Sequence, residues 1–143
     1  MTAQSLILHG TCVDVAGKGV LITGASGSGK SSLALQLMAL GAALVSDDRT
    51  RLTLESGRIR AAPPPSIAGL IEARGVGILH TGHTKQTLVH LVVDMDVIET
   101  KRLPDAHSTT LLDIPVRCLH KVDAPYFPAA LIAYLAGSGP EVS

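Results

Sequence analysis

The sequence predicts an α/β domain built on a phosphate-binding loop and a mixed β-sheet. Two observations carry that prediction. Gly24-Ala25-Ser26-Gly27-Ser28-Gly29-Lys30-Ser31 fits the pattern G-x-x-x-x-G-K-[ST]. The segments around it alternate between short apolar, β-branched runs and turn residues, with strands outnumbering helices. At 143 residues the chain is long enough for one sizeable core, so residues 1–143 are read as a single domain.

Each part of the loop has a physical task. Its glycines let the backbone turn tightly and bring N–H groups against an anion. Lys30 carries positive charge to the β/γ-phosphates, and the Ser31 hydroxyl is a Mg²⁺ ligand in this motif. Gly19-Val20-Leu21-Ile22-Thr23 precedes the loop and reads as a buried strand. Ser32 to Leu40 reads as a helix, so its N-terminal dipole faces the phosphates. The competing reading is a chance Gly/Ser-rich turn, and it leaves the flanking strand and helix unexplained. Binding of a nucleoside triphosphate with Mg²⁺ is therefore expected.

The other elements follow in order. Leu6–His9 and Cys12–Val15 read as strands, and Ala16-Gly17-Lys18 turns the chain into the pre-loop strand. Gly41 is a C-cap candidate. Ala43–Ser46 is a short apolar strand ending at Asp47-Asp48, expected near the loop strand. Arg51–Leu54 and Arg58–Arg60 flank Glu55-Ser56-Gly57 as a hairpin. Pro63-Pro64-Pro65 is a stiff spacer. Val76–Leu79 and Thr87–Val93 read as strands. Leu111–Arg117 reads as one more, with Pro115 indicating an edge. Pro128–Ala136 closes the chain as a helix.

Composition excludes some partners. Net charge is zero, with no basic block, and aromatic residues make up 2%, so a nucleic-acid surface has neither charge nor rings to work with. No apolar run approaches the ~18 residues of a membrane span, and the N-terminus lacks a basic leader region, which predicts a cytoplasmic protein. Cys12 and Cys118 are read as two buried thiols, with a disulfide as the alternative.

A phosphate loop needs acidic partners to hold Mg²⁺ or activate a nucleophile. Asp47 and Asp48 lie 17 and 18 residues after Lys30, at a strand end. Adjacent strand residues point to opposite faces, which predicts different roles for the two carboxylates. The alternative is a solvated turn. In Glu72-Ala73-Arg74-Gly75-Val76-Gly77, Glu72 can ligand Mg²⁺ and Arg74 can neutralise transferring charge, or the two can form a surface ion pair. His80 and His83 resemble half a metal site. Lys101-Arg102 either reaches a phosphoryl group or is an ordinary basic pair.

Taken together, these residues resemble the catalytic domain of bacterial HPr kinase/phosphorylase. The resemblance runs through His9 to Ser31, Asp47-Asp48, Ala62-Pro63-Pro64, the Glu72–Ile78 signature, Lys101-Arg102 and Ile114-Pro115-Val116-Arg117. It implies ATP-dependent phosphorylation of a serine on HPr, a phosphocarrier protein, and the reverse phosphorolysis with inorganic phosphate. It implies that Lys30 and the loop hold the nucleotide and that Ser31 and Glu72 ligand Mg²⁺. It also implies that Asp48 exchanges the serine proton, that Asp47 orients it or assists the metal, and that His9 and Arg102 join the active site. Arg74, Gly75, Gly77 and Arg117 are further signature positions. The implied fold is a phosphate-loop domain similar to phosphoenolpyruvate carboxykinase, assembled as a homo-oligomer, often a hexamer.

The chain departs from the family pattern in four places. The family's separate N-terminal domain is expected to be absent. The stretch from Glu72 to Arg102 is shorter than in longer members. Cys118-Leu119-His120-Lys121 stands where the family continues with Pro-Gly-Arg-Asn, and one C-terminal helix stands where longer members have more. These departures keep two alternatives open: an ATP-sensing module without transfer activity, or a small-molecule kinase of the same fold.

Overall fold

Eleven strands and two α-helices are formed within residues 4–137, the part that the computed structural model describes. The chain opens with β1 (Ser5–Leu8), β2 (Gly10–Val15) and β3 (Lys18–Thr23), then the glycine loop and α1 (Lys30–Ala39). β4 (Ala43–Ser46), β5 (Thr50–Glu55) and β6 (Arg58–Ala62) follow, then a 3-10 turn at Pro65–Ile67. β7 (Leu70–Ala73), β8 (Gly77–His80), the long β9 (Thr87–Ile98), β10 (His107–Leu111), β11 (Ile114–Lys121) and α2 (Phe127–Ala136) complete it.

The main sheet runs β1-β5-β6-β9-β3-β2-β4, and β9 also pairs with β11, which pairs with β10. One edge of β9 is thus shared: Thr87 and Leu88 pair with β6, and residues from Val92 onward pair with β11. β3 and β11 run parallel to β9, and the other pairings are antiparallel. The sheet is mixed, as expected.

Alternation divides the core into two faces. Val13, Val20, Ile22, Leu44, Leu91 and Val93 face the helices, against Leu33, Leu37, Phe127 and Leu131. Cys12, Leu21, Val45 and Val92 face the other way, against Leu52, Ile59, Val116 and Cys118. Both cysteines are buried, free thiols. Lys18 donates to the Leu135 carbonyl at 2.8 Å, placing a cation at the α2 C-terminus, where the helix dipole favours one.

Helix α1 ends in a Schellman motif. Gly41 has φ 109°, its N–H bonds Met38 O, and the Ala42 N–H bonds Leu37 O, both at 3.0 Å. This reversal sends the chain directly into β4.

β4 lies near β3, with β2 between them pairing with both. Several expectations need correction. Leu111–Arg117 is not one strand. It is the turn of a hairpin, with Leu112 and Asp113 in the left-handed region at φ 47° and 67°. Pro115 pairs only with Thr110 of β10, while β11 meets β9 from Cys118 onward, so the proline costs no ladder bond to β9. β9 runs past Val93 to Ile98, and β7 is an element the apolar pattern did not announce. β7 and β8 form a separate ribbon anchored by Ile71 in the helix-side core and by the Thr84 N–H on Leu44 O.

Candidate active site

β3 and β4 are both antiparallel to β2, so their C-terminal ends lie at the same edge of the sheet. Parallel β9 brings Asp94 opposite Thr23 at that edge. Ligands in α/β sheets bind beyond carboxyl ends of this kind.

The glycine loop springs from β3. Gly24 has φ 144°, and a Cβ there would lie 2.6 Å from Ser28 Oγ, so only glycine fits. Gly29 caps α1 at φ 100°, again outside the range of ordinary side chains. Among the described residues, the N–H groups of Gly27, Gly29, Lys30 and Ser31 donate to no other group of the chain, which leaves them to face an anion. Lys30 is 7% exposed, and its ammonium donates to Gly24 O at 2.8 Å and Ala25 O at 3.0 Å. Its charge is therefore folded into the loop. Ser28 Oγ is buried without a partner, a polar atom aimed within the loop itself.

Asp47 is the hub of the site. Its Oδ1 accepts the Ser31 hydroxyl at 2.7 Å and the Thr11 hydroxyl at 3.0 Å, and its Oδ2 accepts the Glu72 N–H at 3.0 Å. One carboxylate ties the start of α1, β2 and β7 together. Asp48 turns the other way. Its φ of 69° is left-handed, its N–H donates to Thr11 Oγ1 at 3.1 Å, and its Oδ1 meets His9 Nε2 at 2.8 Å. Asp47 is buried while the Asp48 side chain is 64% exposed, so the two carboxylates do occupy different environments. The cause is a turn at the end of β4 as much as strand alternation.

A cleft of about 220 Å³ lies over the loop, lined by Ser26, Lys30, Ser31, Asp48, Glu72 and Arg74, among others. Among the described residues Glu72 and Arg74 form no ion pair with each other. Gly75 and Gly77, at φ 86° and 134°, shape the tight β7–β8 turn that presents Arg74. A second cavity of about 350 Å³ opens across the start of α1, between Gln36, Lys121 and Pro125.

Ser31 Oγ bonds Asp47 at 2.7 Å and Glu72 lines the same cleft as Ser31, so oxygen donors of the kind that Mg²⁺ prefers are present there. Arg102 lies in the segment between β9 and β10 and does not line the cleft. Arg117 sits on β11, also away from the cleft, with its Nε buried and unpartnered. The His80–His83 pair gathers no third ligand among the described residues. Thr11 and Asp96 were not singled out from the sequence. Asp96 accepts the Ala25 N–H on both carboxylate oxygens, at 2.9 and 3.1 Å, and so pins the first turn of the loop.

A glycine loop leading into a helix, a lysine buried against it and a carboxylate fastened to its serine sit at the edge of a mixed α/β sheet, and the class they define is that of a mixed α/β protein. Comparison with known proteins narrows that class: the chain belongs to the family described as HPr Serine kinase C-terminal domain, which residues 1–107 match. It is similar to the HPr kinase/phosphorylase of Bordetella petrii, with 38% identity over 128 residues, covering 80% of this chain and 42% of that protein. It is also similar to the HPr kinase/phosphorylase of Clostridium tetani, with 34% identity over 140 residues, covering 90% of this chain and 45% of that protein. The chain therefore spans less than half the length of these curated relatives. Its fold matches a solved structure, the Hpr(Ser) kinase/phosphatase from Coxiella burnetii, with a TM-score of 0.79 at 24% identity, over 93% of this chain and 95% of that one.

Proposed function

We propose that the chain is an ATP-dependent protein serine kinase whose acceptor is a serine of the phosphocarrier HPr. One observation carries this reading: Asp47 is hydrogen-bonded to the loop serine, while Asp48 beside it turns into the same cleft. A module that only bound nucleotide would need neither carboxylate. The family assignment supports the acceptor, since the relatives are named for HPr.

In this reading the loop N–H groups and Lys30 hold the nucleotide phosphates. Ser31 and Glu72 hold Mg²⁺, with Asp47 fixing the Ser31 hydroxyl and the Glu72 backbone. Mg²⁺, when bound, neutralises charge on the β- and γ-phosphates. The acceptor serine oxygen forms a bond to the γ-phosphorus as the bond to the β–γ bridging oxygen breaks, and ADP leaves. Asp48 accepts the serine proton, and His9 holds Asp48 in place. Catalysis here is mostly positioning and charge neutralisation, so Asp48 has to be near the hydroxyl more than it has to be strongly basic. Arg74 meets the charge of the transferring group from the cleft wall. Arg102 is assigned to the acceptor side, reached from the β9–β10 segment. In the phosphorolysis direction inorganic phosphate attacks phosphoserine, pyrophosphate forms, and Asp48 returns the proton.

The same reading treats residues 1–143 as one catalytic unit with a phosphoenolpyruvate carboxykinase-like phosphate-loop fold, cytoplasmic, and associated into a homo-oligomer of hexameric type. No described helix is long and apolar enough to cross a membrane. Exposed Val76, Ile78 and Leu103 supply apolar surface for self-association.

The test is incubation with γ-labelled ATP, Mg²⁺ and HPr from the same cell. Label on an HPr serine is the expected result. Nucleotide binding without label would favour a sensing module, and ATP consumption with unlabelled HPr would favour a small-molecule acceptor.

A further inference from the structure

A cluster outside the lining of the loop cleft joins the C-terminal end of β9 to the β10–β11 hairpin. Glu99 directly follows β9, His107 opens β10, and His120 lies near the end of β11. Each of the three offers one ligand atom, a ring nitrogen or a carboxylate oxygen, within 4.8 Å of the other two. Glu99 Oε1 is 3.4 Å from His107 Nε2 and 3.7 Å from His120 Nδ1.

We propose that Glu99, His107 and His120 form a binding site for a zinc-class divalent transition metal, with one coordination position open to solvent. The chemistry of the donors selects the metal class. Two imidazole nitrogens and one carboxylate oxygen suit zinc and its neighbours, whereas Mg²⁺ takes oxygen ligands. Ligand atoms at about 2.0–2.1 Å from a tetrahedral zinc stand about 3.4 Å from each other, so separations of 3.4 and 3.7 Å put the donors within reach of one ion once a ring reorients.

The carboxylate is held for this task. Its Oε2 accepts the N–H groups of Thr100 and Lys101, both at 3.1 Å, which leaves Oε1 turned toward the imidazoles. The Glu99 N–H donates to Lys121 O at 2.8 Å, fixing the residue against β11. Outer contacts of this kind orient metal ligands.

The two imidazoles are stacked, with centroids 4.1 Å apart and planes inclined by 19°. Stacked rings do not aim their lone pairs at one point, so metal binding requires one ring to turn about χ2. That torsion is soft, with broad wells. The open position faces a cavity lined by His107 and His120 together with Thr23, Asp94 and Cys118. Thr23 and Asp94 end the pairing of β3 with β9 beneath the loop, so the site is adjacent to the loop's base without using its residues. His120 lies beyond residues 1–107, the part matched to the family.

The test uses the full chain stripped with chelator and titrated with Zn²⁺ by calorimetry and with Co²⁺ by visible absorption. The expected result is one equivalent bound, with a tetrahedral-type Co²⁺ spectrum. Glu99→Gln, His107→Asn and His120→Asn should each weaken binding by about tenfold or more, since even outer-shell losses cost 10–100-fold. His80→Asn and His83→Asn should bind as the wild type does. Should a site variant fold poorly, the wild type decides alone: on zinc addition, two of its six histidine ring signals should move, and X-ray absorption should report two imidazoles. Absence of stoichiometric uptake, unaltered binding in the His107 and His120 variants, or a shift confined to other histidines would overturn the assignment.

Discussion

His9 Nε2 lies 2.8 Å from Asp48 Oδ1, although the two residues are 39 positions apart and both side chains are more than half exposed. An exposed pair of this kind contributes ~0–1 kcal/mol to stability. Its value lies in holding the Asp48 carboxylate at one place in the cleft. His9→Phe should therefore leave unfolding free energy changed by less than ~1 kcal/mol, leave nucleotide affinity intact, and lower the rate of phosphoryl transfer. Denaturant melts alongside steady-state kinetics check it, and a variant that loses stability but transfers at the full rate would contradict it.

Thr11 should be the most sensitive position outside the cleft lining. It is fully buried, donates to Asp47 and accepts from the Asp48 N–H, so one hydroxyl sets both carboxylates. Thr11→Val strands the Asp48 N–H and removes a donor from Asp47, at a cost of about 1–3 kcal/mol in stability, together with a fall in kcat. Thr11→Ser should restore most of both. If Thr11→Val matches the wild type in kcat, Thr11 does not position the pair.

Cys12 gives a pH dependence of known sign. Burial, with the Asp14 charge adding to it, pushes its thiol pKa far up, so the native state keeps the proton. The unfolded chain loses that proton at about pH 8.5. Stability is full below that pH and falls above it, by up to ~1.4 kcal/mol per pH unit for one proton. Cys12→Ala should flatten the slope measured between pH 8 and 10. The native thiol should also resist alkylation until the protein unfolds.

Leu37 tests the support beneath the loop helix. It is fully buried in the core that α1 shares with β2, β3 and α2. Leu37→Ala should cost ~2–5 kcal/mol by leaving a cavity. Urea denaturation measures it, and a cost below 1 kcal/mol would mean that the helix repacks freely.

Legibility in the sequence followed the range of each signal. Gly24–Ser31 was readable because the whole device is contiguous and its flanks agree. Asp47 and Asp48 were readable because an apolar strand ends just before them. Thr11 was not, because its role exists only once β2 inserts between β3 and β4, a pairing that no local pattern announces. β7 is four residues long, with Glu72 as its exposed member, too short for an alternation to register. The β10–β11 turn was hidden because Leu112 and Asp113 adopt left-handed backbone without a glycine. Asp94 and Asp96 interrupt the apolar run of β9, so its true length was masked by the residues that reach the loop edge. Glu99, His107 and His120 come from three segments and converge only through the β9–β11 pairing and the β10–β11 hairpin.

The most direct measurement is single-turnover transfer from ATP to HPr by the wild type and by Asp48→Asn, at matched nucleotide occupancy and read as phosphoserine by mass spectrometry. The predicted result is phosphoserine with the wild type and, with Asp48→Asn, an unchanged ATP Kd and a transfer rate lower by about 10²–10⁴-fold. HPr left unmodified by the wild type under saturating ATP and Mg²⁺ would contradict the proposed activity, and full-rate transfer by Asp48→Asn would remove Asp48 from the chemistry.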